Sequence, residues 1–183
     1  MTDSFRRVCV VGGHNSGKTL LLERLVALWA ERGMRVVVLK HDGHADLSPG
    51  TDDWEKPNGD TVRLRHAGAA VTAVAGGGQS LLRLTEDLDV QNVDDFARRT
   101  VNVARSAGNV VDLVAAEGWK HSEWPKLVVV RNDEEVEWLS SQNLLDVRAV
   151  YAAKPVRKVA AFARQVYHGA DIERLAADVL AWT

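Results

Sequence analysis

The run Gly12-Gly13-His14-Asn15-Ser16-Gly17-Lys18-Thr19 constrains this chain more than any other stretch. It meets the spacing G-x-x-x-x-G-K-[ST] without a mismatch, follows the apolar run Val8-Cys9-Val10-Val11, and leads directly into Leu20-Leu21-Leu22-Glu23-Arg24-Leu25. A strand, a glycine turn and a helix start therefore appear in the order a phosphate-binding loop requires. Gly12 and Gly17 suit backbone N–H groups that turn inward around anionic oxygens, where a Cβ would block the approach or the left-handed geometry. Lys18 offers a point charge to terminal phosphates and Thr19 a hydroxyl to Mg²⁺. The first turn of the helix adds free N–H groups and the positive end of its dipole.

At 183 residues the chain is long enough for one well-buried domain and short for two, so we expect a single nucleotide-binding domain over residues 1–183. A net charge of −2 gives no global field for nucleic acid or an anionic membrane, so any anion site must be local. Cys9 is the only cysteine, which excludes an intramolecular disulfide and suits a reducing compartment. The N-terminal residues lack the apolar core of a signal peptide, and no run has the length of a membrane span. These features together predict a cytoplasmic protein.

The hydrophobic periodicity predicts an α/β fold of the P-loop NTPase type: three layers, with a mostly parallel sheet, helices on both faces and one antiparallel hairpin. Leu21, Leu25 and Leu28 share a helical face that ends at Gly33. Within Arg35 to Lys40 the residues Val36 to Leu39 are continuously apolar, as in a strand covered on both faces. From His41 to Gly59 periodicity is lost, which predicts a mobile active-site loop. Val71–Ala75 and Ser80–Thr85 flank Gly76-Gly77-Gly78-Gln79 and read as the hairpin, joined to the main sheet as an antiparallel strand. Asn92 caps a helix, Val110 begins a strand that terminates in Glu117, and Lys126–Arg131 and Val147–Tyr151 supply further strands. Val159–Phe162 reads as one more short strand, and the last helix starts near Asp171.

Ligands of open α/β sheets sit beyond the carboxyl ends of the strands. Three segments satisfy that rule: Gly12 to Thr19, Lys40-His41-Asp42, and Glu117-Gly118-Trp119-Lys120-His121. Glu117 either holds Mg²⁺ beside Thr19 and orients an attacking water, or is a solvated strand-end carboxylate. Lys18 and Glu117 are the candidates for catalysis. Lys40, His41, Lys120 and His121 repeat one dipeptide at two strand ends; they form either a cationic pocket for a second anion or two ordinary surface pairs. Trp29 and Trp182 fall on helices near their packing faces and read as core, whereas Trp119 and Trp124 are loop aromatics and candidates to cover a base or ring. Asn132-Asp133 follows a strand and either reads a base or simply turns the chain.

Taken together, Gly12 to Thr19, Leu39-Lys40-His41, Pro57-Asn58-Gly59-Asp60-Thr61 and Asp112 through His121 resemble the MobB family, adaptor proteins of molybdopterin-guanine dinucleotide biosynthesis. The resemblance implies a GTP-binding protein that is usually a homodimer. Such a protein assists the guanylyltransferase that attaches GMP to molybdopterin and is at most a weak GTPase. The guanine preference is implied by resemblance alone, since no N-K-x-D run is present and Ala152-Ala153-Lys154-Pro155 stands where the family tends to have serine-aspartate. An ATP-dependent small-molecule kinase or ligase on the same scaffold is the alternative, and an interaction module with a vestigial loop is a third.

Overall fold

The computed structural model describes residues 5–41, 59–84, 92–163 and 165–182. The segment expected to form a mobile loop falls almost entirely at residues 42–58, outside the described residues. The chain divides into two compact units, Met1–His41 with Val90–Thr183, and Asp42–Asp89.

In the larger unit a parallel sheet has strand order β2-β5-β1-β6-β7-β8, with β1 (Arg6–Gly12) near its centre between β5 (Leu113–Glu117) and β6 (Lys126–Val130). The other strands are β2 (Val36–Lys40), β7 (Val147–Ala152) and β8 (Val166–Tyr167). Central strands buried on both faces need continuous apolar sequence, and β5 and β6 are buried at every position. β2 differs from its expectation. It lies at the sheet edge, and Val38 is 48% exposed although its neighbour Leu39 is buried, so only one of its faces is fully covered.

Helices cover the sheet on both sides. One core holds Val8, Val10, Leu113 and Leu127 against Leu21, Leu22, Leu25 and Trp29 of α1 (Lys18–Glu31) and Leu175 and Val179 of α6 (Ile172–Val179). Trp29 is fully buried and its indole N–H donates to the Ala176 carbonyl at 2.9 Å, so one side chain both fills the core and ties α1 to α6. The opposite core packs Cys9, Val11, Val114 and Val128 against α3 (Val93–Ser106) and α4 (Asp133–Ser140). Asn92 caps α3 as expected, its side chain accepting from the Asp95 N–H at 3.0 Å.

Two elements depart from the sequence reading. Val159–Phe162 is a short helix, α5, not a strand, and Val166–Tyr167 takes the edge position beside β7. Four apolar residues cannot distinguish the two states by periodicity. The smaller unit contains α2 (Asp60–His66) and the hairpin of β3 (Val71–Gly76) and β4 (Gln79–Leu84). The hairpin forms its own two-stranded antiparallel sheet and does not hydrogen-bond into the parallel one.

Candidate functional site

The site begins where β1 ends. A Cβ on Gly12 would lie 2.5 Å from the Val129 carbonyl oxygen and 2.6 Å from Ser16 Oγ, so only glycine lets the chain turn here against β6. Asn15 and Gly17 both have positive φ, 54° and 91°, which closes the loop and delivers Lys18 to the first turn of α1. Ser16 is buried and its hydroxyl has no hydrogen-bond partner among the described residues. An unsatisfied polar group is costly in an interior, and it marks a loop whose polar groups are not all satisfied within the chain. Lys18 Nζ folds back to donate to the carbonyls of Gly13 at 2.7 Å and Gly12 at 3.3 Å.

Thr19 Oγ1 donates to Glu117, 2.8 Å from one carboxylate oxygen and 3.0 Å from the other. Glu117 is the last residue of β5 and only 8% exposed, held there by the register that sets Val10 opposite it on β1 and Lys40 opposite it on β2. A buried carboxylate and a hydroxyl, both hard oxygen donors, are the chemistry that suits Mg²⁺. Beyond Glu117 the ladder continues: the His41 N–H donates to the Glu117 carbonyl at 2.9 Å, and the Gly118 N–H to the Val10 carbonyl at 3.0 Å. Gly118 (φ 107°) and Trp119 (φ 48°) then turn the chain sharply.

A cavity of about 410 Å³ opens beside the loop, and its lining brings together Gly12, Lys18, His41, Lys120 and His121. Lys40 is not part of it; its side chain is exposed at the end of edge strand β2. His121 is exposed, whereas the Lys120 ammonium donates to Gln142 at 2.8 Å and sits 5.2 Å from the centroid of the Trp138 ring. Gly13 and His14 face a second hollow of about 360 Å³ lined also by Arg131, Glu134 and Trp138. Among the described residues no cluster of three histidine, cysteine or acidic side chains is arranged to hold a metal.

The loop tryptophans belong to the core. Trp119 is 6% and Trp124 2% exposed; Trp119 packs near His41 and Phe96, and the Trp124 indole N–H donates to Asp94 at 2.9 Å. Asn132 and Asp133 are also committed. Asn132 caps α4 by accepting from the Glu135 N–H at 2.9 Å, and Asp133 accepts from the Lys158 N–H at 2.9 Å. The capping pattern Asn132-Asp133-Glu134-Glu135 before Val136 and Leu139 was the signal for α4 that a turn reading passes over. The Cys9 thiol is 3.4 Å from Ser122 Oγ, and burial pushes its pKa up to about 11, so it stays protonated and unreactive.

The family described as molybdopterin guanine dinucleotide synthesis protein B, MobB, matches residues 7–153, which include the loop, Glu117 and the cavity. The chain belongs to the MobB family. It is 35% identical over 147 residues to a probable molybdopterin-guanine dinucleotide biosynthesis adapter protein of Bacillus subtilis, covering 78% of this chain and 75% of that one. Among solved structures it resembles a MobB homologue from Bacillus stearothermophilus, with 32% identity, a TM-score of 0.64 and coverage of 96% and 98%. It also resembles Bacillus subtilis MobB, with 27% identity, a TM-score of 0.69 and 97% coverage of both chains. The parallel sheet with its P-loop and separate hairpin is thus the fold of MobB proteins, a P-loop NTPase-like fold.

Proposed function

We propose that this MobB-family chain acts as an adaptor in molybdenum cofactor biosynthesis by holding GTP with Mg²⁺ for a molybdopterin guanylyltransferase. The observation that carries this reading is the Thr19–Glu117 hydrogen bond beside Lys18, because it joins the phosphate loop to an acidic strand end. Gly12, Gly13, His14, Asn15, Ser16 and Gly17 surround the phosphates with backbone N–H groups. Lys18 leaves the Gly12 and Gly13 carbonyls for the β and γ phosphates, and Thr19 and Glu117 hold the metal directly or through water. Magnesium, when bound, neutralises phosphate charge. The unsatisfied Ser16 hydroxyl and the glycine-only turn at Gly12 fit such a ligand.

His41, Lys120 and His121 then line the neighbouring cavity as receivers of a second anion, the phosphate of molybdopterin or an acidic group of the partner enzyme. We read hydrolysis as weak at most, as the family resemblance implies; of the two arginines on α2, Arg65 is buried and donates to Thr72 at 3.0 Å, while Arg63 is exposed beside Asp60. We read residues 1–183 as one nucleotide-binding domain in which residues 42–89 are an insertion. In the hairpin Val71, Val74, Leu81, Leu82 and Leu84 are each more than two-fifths exposed, an apolar surface suited to a homodimer contact. Among the described residues no helix is long and apolar enough to cross a membrane.

Titration of a fluorescent GTP analogue in Mg²⁺, with ATP as competitor, tests the proposal. GTP should bind, Lys18→Ala should weaken it by about a hundredfold or more, and ATP should compete poorly. Unchanged binding in Lys18→Ala rejects the site, and equal competition by ATP rejects the guanine preference.

A further inference from the structure

The connection from β5 to β6 is short for parallel strands. The two flank β1, so residues 118–125 must cross over it. Parallel crossovers generally take about a dozen residues or more, usually including a helix whose backbone groups bond one another. Here no helix intervenes, and the crossover packs Trp119 and Trp124 into the core over Cys9. Carbonyls on the inner side of such a segment need donors from elsewhere.

Lys126 supplies them. It is the first residue of β6, the register partner of Cys9, and fully buried. Its ammonium donates to the Ser122 carbonyl and, at 3.0 Å, to the Trp124 carbonyl. Around it the Cys9 N–H donates to the Pro125 carbonyl at 2.8 Å, and the Lys126 N–H to the Asp146 carbonyl at 2.8 Å. Both side-chain bonds go to neutral oxygens; burial pulls the pKa of the ammonium down, opposed through space by Cys9, Asp146 and Glu123. Burying an ammonium costs several kcal/mol unless its hydrogen bonds offset it, and a long apolar side chain would fill the same volume without that cost. The cationic head is therefore needed for what it binds: the inner side of a loop whose residues line the cavity with Lys18.

We propose that Lys126 is a positioning residue of the candidate site, its ammonium shaping the helix-free crossover so that Lys120 and His121 face the cavity shared with Lys18 and His41. The inference rests on reading that cavity as part of the nucleotide site. In nucleotide-free Lys126→Met, far-UV circular dichroism should keep its wild-type form while tryptic cleavage after Lys120, followed by mass spectrometry, accelerates about tenfold relative to other sites. Lys126→Arg should restore part of the protection, and MgGTP affinity in Lys126→Met should fall about fivefold to tenfold.

Cleavage after Lys120 at the wild-type rate overturns the inference, as does an equal rise at every site, which would make Lys126 a general stabiliser. Wild-type MgGTP affinity in folded Lys126→Met also overturns it. If Lys126→Met does not fold, nitrogen-15 lysine NMR of the wild type decides. A slowly exchanging ammonium resonance at neutral pH that is lost in Lys126→Arg supports the tether, and absence of such a resonance overturns it. Failure of the wild type to bind MgGTP rejects the nucleotide reading instead, and the protease comparison still judges whether Lys126 holds the loop.

Discussion

Two glycine runs in this molecule have similar composition and opposite physical roles. At Gly76-Gly77-Gly78 nothing lies within 4 Å of where a Cβ would sit, and Gly77 and Gly78 are needed only for φ values of 58° and 77°. That is the demand of a two-residue hairpin turn between paired Gly76 and Gln79. At Gly12 the backbone needs no left-handed angle, yet an added Cβ would strike the Val129 carbonyl at 2.5 Å. The hairpin run supplies conformation alone, whereas Gly12 supplies room and leaves the left-handed angles of its loop to Asn15 and Gly17. Room beside a helix start is what an anion can use; conformation alone makes a turn.

Substitution of Gly12 should therefore have the largest effect. Gly12→Ala forces β1 and β6 apart at the mouth of the loop. It should cost about 1–3 kcal/mol of stability and reduce MgGTP affinity by more than about a hundredfold, read by thermal melts and titration calorimetry. Retained affinity would mean that the loop has slack the close contacts do not suggest, and the distinction between the two runs would fail.

The same contrast explains what was legible in the sequence. The loop from Gly12 to Thr19 could be read because its demands are local: spacing, glycine and a helix start. The central strands were legible from continuous apolar runs, and α3 and α6 from helical stripes. β2 misled because Arg35 to Lys40 has the composition of a covered strand but lies at the sheet edge, a fact of strand order that composition does not record. α4 was passed over because Asn132-Asp133 satisfies a turn as well as a helix cap. Lys126 was the least legible, since a lysine opening a strand ordinarily reads as exposed and its burial depends on a crossover that lacks a helix. The site was readable as strand ends; which side chains enter the cavity was not, as Lys40 shows.

Glu117→Gln asks whether the backbone cradle suffices without its neighbouring strand. The amide keeps the size of the side chain and an acceptor for Thr19 but removes the charge that draws a cation. MgGTP affinity should fall about tenfold to thirtyfold, roughly 1.4–2 kcal/mol, with little change in metal-free binding. Equal affinity with and without Mg²⁺ in the wild type would remove Glu117 and Thr19 from the metal role.

Gly118 combines the two demands and should show an intermediate effect. Its φ is 107°, and a Cβ would come within 3.0 Å of the His41 side chain and 3.3 Å of the His41 carbonyl. Gly118→Ala should cost about 1.5 kcal/mol from backbone strain and crowding. Because the strain falls between His41 and Trp119, chemical shifts of those two rings should move more than those of the phosphate loop. A uniform shift pattern would argue that the crossover and the loop form a single rigid piece.

The smallest effect belongs to the hairpin. Asparagine tolerates left-handed angles, and open space surrounds the turn, so Gly77→Asn meets both conditions at that position. Thermal stability should change by less than about 0.5 kcal/mol, and MgGTP affinity should stay at the wild-type value. Gly77→Val, which fits the same space but resists φ of 58°, should cost about 1–2 kcal/mol within the smaller unit while leaving nucleotide binding intact. Should Asn and Val prove equally costly, space and not angle would limit the turn, and the two glycine runs would be alike after all.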